Sequence, residues 1–169
     1  MIDARYVQLM ARYNRWQNES LYAVADALPN DERRKPRGAF FGSVHATLNH
    51  ILWADRIWMS RFAGTPKPDG GIPQSISLHE TWDCLKRDRA DFDATIVDWA
   101  DRLDAAWTEG DLTWYSGLAK RDVSKPKATL LLHFFNHQTH HRGQVHCLLT
   151  QAGLAGHVTD LVAMPTARA

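Results

Sequence analysis

Cysteine is scarce in this sequence of 169 residues, where only Cys84 and Cys147 occur and no Cys-x-x-Cys pair is formed. Nothing therefore points to a disulfide framework or a thiolate metal site, and we expect two buried, reduced thiols. Long apolar runs are also missing, since none approaches the roughly 18 residues that a membrane span needs. The first residues, Met-Ile-Asp-Ala-Arg-Tyr, lack the apolar core of a signal peptide. We expect a cytoplasmic protein without a membrane partner.

The sequence also has no excess of charge of either sign, because the formal net charge is only +1. One basic stretch exists, and we interpret it as a solvated loop because acidic residues and a proline flank it; its members are Arg33, Arg34, Lys35 and Arg37. No nucleic-acid motif and no glycine-rich phosphate loop is found, so we expect no nucleic-acid partner. With 44% hydrophobic residues, the chain is predicted to form a single domain over residues 1–169.

Apolar residues recur at helical spacing in four long segments, which predicts an all-α protein built as a four-helix bundle. The segments are about 3–28, 43–64 with Ser43 as its cap, a third that starts at the capping box Ser77-Leu78-His79-Glu80, and 126–153. Residues 106–125 lack sustained helical periodicity and predict a loop or short hairpin before the last helix. Arg89 interrupts the apolar stripe of the third helix, so it needs either a carboxylate partner or a substrate anion.

Histidine is abundant in the last predicted helix, where residues 133–146 contain five of the nine histidines. At about 100° per residue, the side chains of His133, His137, His140 and His141 share one inward stripe. Residues four apart on a helix lie about 5–6 Å apart at Cβ, so two such imidazoles can bind one metal ion. Spacing alone leaves two pairs open, His133 with His137 and His137 with His141.

A metal site of this kind needs a third protein ligand from another element. His50 lies in the centre of the buried face of the second helix, whereas His45 is predicted to face outward. His79 and His157 are weaker candidates, because one lies beside an apolar stripe and the other in a glycine-rich tail. We therefore expect His50 to be the third ligand.

Two other metal-site classes fit poorly. A di-iron carboxylate bundle needs Glu-x-x-His motifs, and no glutamate of the chain has a histidine three residues later. Residues 79–83, His-Glu-Thr-Trp-Asp, resemble a zinc-protease motif but end in aspartate.

The last-helix segment 136–144, Asn-His-Gln-Thr-His-His-Arg-Gly-Gln, resembles the corresponding motif of the DinB/YfiT-like family of metalloenzymes. Residues 48–56, Leu-Asn-His-Ile-Leu-Trp-Ala-Asp-Arg, and residues 13–18, Tyr-Asn-Arg-Trp-Gln-Asn, are also similar to segments of that family. The resemblance spans most of the chain. It implies a four-helix bundle, frequently a homodimer, with a divalent metal ion held by three histidines.

Carried across position by position, the resemblance implies that His50, His137 and His141 are the metal ligands. Zinc or nickel is the expected ion, with iron or copper as alternatives. The resemblance further implies a thiol S-transferase that acts on small electrophiles, with a low-molecular-weight thiol as co-substrate. The alternatives are a metal-dependent hydrolase, in which water is the nucleophile, and a non-catalytic metal-binding stress-response protein. His140, His133 and Arg89 are the candidate catalytic residues.

Overall fold

The computed structural model describes residues 2–165 and is mostly helical, with one small two-stranded sheet. Its elements are α1 (Ala4–Asp26), α2 (Asn30–Arg34), α3 (Val44–Phe62), α4 (Trp82–Asp101), β1 (Asp111–Ser116), β2 (Arg121–Pro126) and α5 (Lys127–Gln151). Short 3₁₀ helices span Ile72–Ser77, Ala105–Thr108 and Leu161–Ala163. The predicted domain also includes Met1 and residues 166–169, which lie outside the described residues. Within the described residues, no helix is long and apolar enough to cross a membrane.

The starts of the long helices follow side-chain capping, with one correction to the sequence prediction. Ser43 caps α3 as predicted, because its side chain accepts a hydrogen bond from the backbone N–H of Ala46 at 3.2 Å. The predicted capping box at residues 77–80 is wrong. Thr81 is the N-cap of α4 and accepts from the backbone N–H of Cys84 at 3.3 Å, whereas the Ser77 hydroxyl donates to its own 3₁₀ turn.

The four long helices contact one another in pairs, α1 with α4 and α5, and α3 with α5 and α4. The 3₁₀ helix Ile72–Ser77 packs on α3 as well, so α3 is covered on most of its sides. His45, predicted to face outward, is consequently only 2% exposed, and its Nε2 lies 3.0 Å from the carbonyl oxygen of His79. That prediction is wrong, because a helix covered on several faces buries more than one stripe.

Two surface predictions also need correction. The basic stretch is partly the short helix α2, and the Arg33 side chain is buried, donating to the carbonyl oxygen of Leu28 and lying 4.6 Å above the Trp82 ring. A guanidinium that satisfies backbone carbonyls and covers an aromatic ring does not need solvent. Both cysteines are free thiols, but Cys147 is exposed and Cys84 half-buried, so the expectation that both are buried is wrong.

Residues 111–126 form an antiparallel hairpin, which confirms the predicted irregular segment before the last helix. Trp114 of β1 lies opposite Val123 of β2 and packs against Trp58 of α3, with ring centroids 5.8 Å apart. The backbone N–H of Lys127 donates to Gly110 at 3.0 Å and joins the base of the hairpin to the first residue of α5. The hairpin therefore lies beside the end of α3 and the start of α5, where the Trp58 ring also contacts His133.

Candidate metal centre

Three histidines from two packed helices converge in the structure. His50 extends from α3, and His137 and His141 extend from successive turns of α5. Each offers one ring nitrogen, and these nitrogens all lie within 4.8 Å of one another. The packing of α3 on α5 therefore assembles the pair His137 and His141 with His50, rather than the pair His133 and His137 that spacing alone left open.

The separation of two of these nitrogens fits a tetrahedral metal site. The Nε2 atoms of His50 and His137 are 3.3 Å apart. Two nitrogens that each lie about 2.0–2.1 Å from a tetrahedral zinc ion are about 3.3 Å apart. The donor set, three imidazoles with no carboxylate, is one that zinc, nickel, iron and copper all accept.

The hydrogen bond from His50 to a serine determines which ring nitrogen of His50 carries the proton. The Nδ1 atom of His50 lies 2.8 Å from the Oγ of Ser75, and that hydroxyl donates its only hydrogen to the carbonyl oxygen of Ile72 at 2.6 Å. Ser75 Oγ must then accept from His50, which places the imidazole proton on Nδ1. The lone pair of His50 is thereby left on Nε2, the atom that faces His137. Ser75 is completely buried, so no water competes for this hydrogen bond.

A glutamine determines which ring nitrogen of His141 carries the proton. Its Nδ1 lies 2.8 Å from Oε1 of Gln144, an amide oxygen that only accepts hydrogen bonds. The amide nitrogen of Gln144 in turn lies 3.1 Å from Nε2 of His140. His141 is therefore protonated at Nδ1 and presents Nε2 as a ligand atom. Partners that orient a histidine through its second nitrogen are typical of metal sites.

The imidazoles are held in the neutral form that binds metals. Burial, with a smaller contribution from His141, lowers the pKa of His50 to about 4. Burial and the neighbouring histidines lower the pKa of His137 to about 3. Burial also lowers the pKa of His141, although the hydrogen bond to Gln144 opposes this. Protonation at pH 7 is thus unfavourable at all three positions, and each lone pair is available.

Aromatic rings form one wall of the site. Phe41, in the loop before α3, stacks on His50 with ring centroids 3.9 Å apart and lies 5.4 Å from His141. Phe41 and Ser75 were both missed by the sequence analysis, because a loop and a short 3₁₀ helix are too irregular or too short for hydrophobic periodicity to place their side chains. Gln144 carried a usable signal, since it is three residues after His141 on the same helix.

The other two histidines of the predicted stripe, His133 and His140, are exposed at the rim of the cluster. The His133 ring lies 5.7 Å from that of His137 and 5.1 Å from that of Trp58. His140 reaches the cluster through Gln144 and has its ring 4.9 Å from that of His141. The prediction that all four imidazoles point inward is therefore wrong for these two, because the stripe extends beyond the area that α3 covers.

Arg89 lies in the core instead of at the histidine cluster. Its guanidinium donates to Asp55 Oδ2 and to Asp93 Oδ1, both at 2.7 Å. Gln138 Nε2 donates to the other oxygen of Asp55 at 2.9 Å, and Asn18 donates to Asp93 at 3.0 Å. These ion pairs agree with the interpretation that Arg89 needs a carboxylate partner. Among the described residues, Arg89 bonds to this network and not to any of the three histidines.

Arg142, adjacent in sequence to His141, also lies in the interior, although its position on the α5 wheel predicts surface or a dimer interface. The Arg142 guanidinium donates to the side-chain oxygen of Asn14 on α1, and Asn14 donates to Asp93 at 3.0 Å. The residue is 5% exposed. α5 packs between α3 and α1, so two of its faces are buried and the wheel position opposite the ligands is not surface.

With this geometry established, comparison with known proteins identifies the family. Residues 1–168 match the model of the DinB family. The chain belongs to the DinB family. A curated relative of this DinB-family chain is Protein DinB of Bacillus subtilis (strain 168), 26% identical over 156 residues, which cover 88% of this chain and 87% of that protein. A solved DinB-like protein from Bacillus cereus ATCC 10987 has the same fold, with a TM-score of 0.62, 19% identity, and coverage of 85% of this chain and 90% of that one.

Proposed function

We propose that this DinB-family protein binds one divalent metal ion through Nε2 of His50 and His141 and a ring nitrogen of His137. The observation that carries the proposal is the convergence of three neutral imidazoles from α3 and α5, two of them with their second nitrogen already hydrogen-bonded. Zinc or nickel is our first expectation, and iron or copper the alternative. We also infer that the pairwise contacts of α1, α3, α4 and α5 are those of a four-helix bundle.

Three neutral ligands leave the ion its full charge and at least one open position, so it would lower the pKa of a bound thiol or water and supply a nucleophile near neutral pH. Our leading hypothesis for the reaction is S-transfer from a low-molecular-weight thiol to a small electrophile. In that reaction a new carbon–sulfur bond forms, the leaving group departs with the electron pair of the bond that breaks, and the thiol proton must be accepted nearby.

The rim residues of the protein suit that proton transfer. His133 lies beside His137, and partial burial of its ring together with the nearby charge of Arg61 lowers its pKa, so it is a neutral base at pH 7. Its Nδ1 or Nε2 can hold the thiol proton. The Arg61 guanidinium lies 4.4 Å above the Trp58 ring, which contacts His133, and it brings a positive charge close to His133. Phe41 shields His50 from water.

Elemental analysis of untagged protein is the first test, and we expect one metal ion per chain. His50→Ala, His137→Ala and His141→Ala should each lose it, since a three-ligand site loses affinity steeply when one ligand is removed. His45→Ala and His146→Ala are matched controls that should keep stoichiometric metal, because their nitrogens are directed elsewhere. Loss of metal in His133→Ala with retention in His141→Ala would reject this ligand set while leaving a metal site.

A second experiment separates the catalytic hypotheses. Metal-loaded protein is assayed with a panel of small thiols and electrophiles, and in parallel with ester and amide substrates. Thiol-dependent turnover that falls in His133→Ala while metal content stays constant would support S-transfer. Turnover of esters or amides without thiol would support the hydrolase instead. The absence of metal-dependent turnover in both panels would favour a non-catalytic metal-binding protein.

A further inference from the structure

A cavity lies on a different face of α5 from His137 and His141. It has a volume of about 350 Å³ and is lined by α1, α5 and the chain segment around residues 157–159. Arg142, His146, His157 and Thr139 are among the residues that line it. Small-molecule sites in proteins typically have volumes of about 300–1,000 Å³, so the cavity is large enough for a small ligand.

The charge in this cavity has one sign. Among residues 2–165, Arg142 is the single charged residue that lines it, and no aspartate or glutamate does. The Arg142 guanidinium bonds the neutral oxygens of Asn14 and Thr139, the latter at 3.4 Å, and forms no ion pair with a carboxylate within residues 2–165. An arginine guanidinium stays charged at pH 7. Asp55 and Asp93 of the buried network offset part of this charge, but neither contacts the guanidinium, and Asn14 lies between it and Asp93. A guanidinium that lines a cavity without a direct carboxylate partner can bind an anion there.

Two imidazoles that line the cavity with Arg142 have ring nitrogens without a hydrogen-bond partner among residues 2–165. The ring centroids of His146 and His157 are 5.0 Å apart, and Nδ1 of His146 and both nitrogens of His157 are buried with no such partner. Every imidazole carries at least one N–H donor, so His157 has an unpaired donor, whereas buried donors in native proteins are nearly always paired. An unpaired donor next to a guanidinium that no carboxylate contacts indicates that the cavity binds an acceptor group.

The segment that closes the cavity is attached to the helices. The Tyr13 hydroxyl donates to the carbonyl oxygen of Thr159 at 2.5 Å, and Gln17 Nε2 donates to that of Val158 at 3.0 Å. Gly156 passes so close to His146 that a Cβ at this position would lie 2.7 Å from the imidazole ring. These contacts hold His157 against His146 and define the shape of the cavity.

We propose that this cavity binds a small oxyanion, a carboxylate or a phosphate group, through the guanidinium of Arg142 and the N–H groups of His146 and His157. The guanidinium fork matches two oxygens of either group, and the imidazoles supply further donors. This site is separate from the proposed metal centre and does not depend on it.

Calorimetric titration with inorganic phosphate, and in parallel with acetate, tests the proposal at an ionic strength held constant with chloride. We expect saturable binding of at least one anion at millimolar concentration, and the tighter of the two identifies the chemistry of the natural ligand. The metal-loaded wild type is compared with His137→Ala, which should bind equally well. Arg142→Gln and His157→Ala should each weaken binding about tenfold or more. Arg121→Gln, which removes an arginine outside the cavity, should bind as the wild type does.

His157→Ala is the deciding variant, because Arg142 also bonds Asn14 in the core whereas His157 lies in a loop. Its folding is checked by thermal unfolding beside the wild type. Unchanged binding in His157→Ala would overturn the proposal, as would the absence of saturable binding by either anion. Binding that disappears in His137→Ala and persists in Arg142→Gln would place the anion on the metal ion and would overturn it too.

Discussion

Ser75→Ala should weaken metal binding although Ser75 is not a ligand. Its hydroxyl accepts from Nδ1 of His50 at 2.8 Å and donates to Ile72, which keeps the lone pair of His50 on Nε2. The variant leaves His50 free to place its proton on either nitrogen and to rotate. Loss of a partner that orients a metal-binding histidine typically lowers affinity 10–100-fold, equivalent to about 1.4–2.7 kcal/mol.

The matched control for this prediction is Ser77→Ala. Ser77 ends the same 3₁₀ helix, but it is exposed and its hydroxyl donates only to Gln74 at 3.2 Å. Metal affinity is measured by competition with a coloured chelator, and the tautomer of His50 is read from the ¹⁵N chemical shifts of its ring. We expect a loss of affinity and mixed tautomers in Ser75→Ala alone.

Equal affinities for Ser75→Ala, Ser77→Ala and the wild type would refute the reasoning, as would a fall in affinity with the Nδ1–H tautomer of His50 intact. Ser75→Ala also leaves the buried N–H of His50 unpaired, which should destabilise the metal-free protein by about 1–3 kcal/mol in chemical unfolding. A stability change without a tautomer change would show that Ser75 acts only in packing.

Three further predictions concern the pH dependence of metal binding, the buried Arg89 and, from the family resemblance, the assembly of the chain. Burial lowers the pKa values of His50 and His137 to about 4 and about 3 and lowers that of His141 as well, so at most one of the three imidazoles competes for a proton between pH 6 and 5, and affinity should fall by at most about tenfold per pH unit. A fall approaching a thousandfold, as three unshifted imidazoles would give, would contradict this in a pH series of metal titrations. Arg89→Met should destabilise the protein by about 3–5 kcal/mol in denaturant, because Asp55 and Asp93 lose their buried cation, and the folded fraction should keep its metal. Metal loss from folded Arg89→Met would link Arg89 to the site. Sedimentation should give a homodimer of 19.2 kDa chains, and a single monomeric species at micromolar concentration would reject it.

The long helices and the metal-ligand candidates could be predicted because they depend on local periodicity. His137 and His141 are one helical turn apart, and His50 is central on an apolar face. Each of these positions can be deduced from a short stretch of sequence. The pairing of α3 with α5 is not local, and only that contact selects His141 over His133 as the partner of His137. The family resemblance had to supply this choice before the structure did.

The failures at His45 and Arg142 share one cause. A helical wheel assigns one buried face, yet α3 and α5 each pack against several elements, so polar residues opposite the main stripe are buried as well. The prediction of where α4 begins failed for a different reason, since Ser77 and Thr81 are both acceptable N-cap residues by type. Ser77 belongs to the last turn of the 3₁₀ helix that places Ser75 beside His50, so it is not available to cap α4. Capping rules based on residue type do not include this competition between two helices for one serine.

The buried polar network joins side chains from all four long helices, with Asn14 and Asn18 from α1, Asp55 from α3, Arg89 and Asp93 from α4, and Gln138 and Arg142 from α5. If one helix slid past its neighbours by a single turn, about 5.4 Å, apolar contacts could re-form with other apolar residues, but these charges would lose their partners in a dry interior. The network thus makes the axial register of the helices discrete. The distance between His50 on one helix and His137 and His141 on another is set by that register, so the network fixes the geometry of the three imidazoles without contributing a ligand.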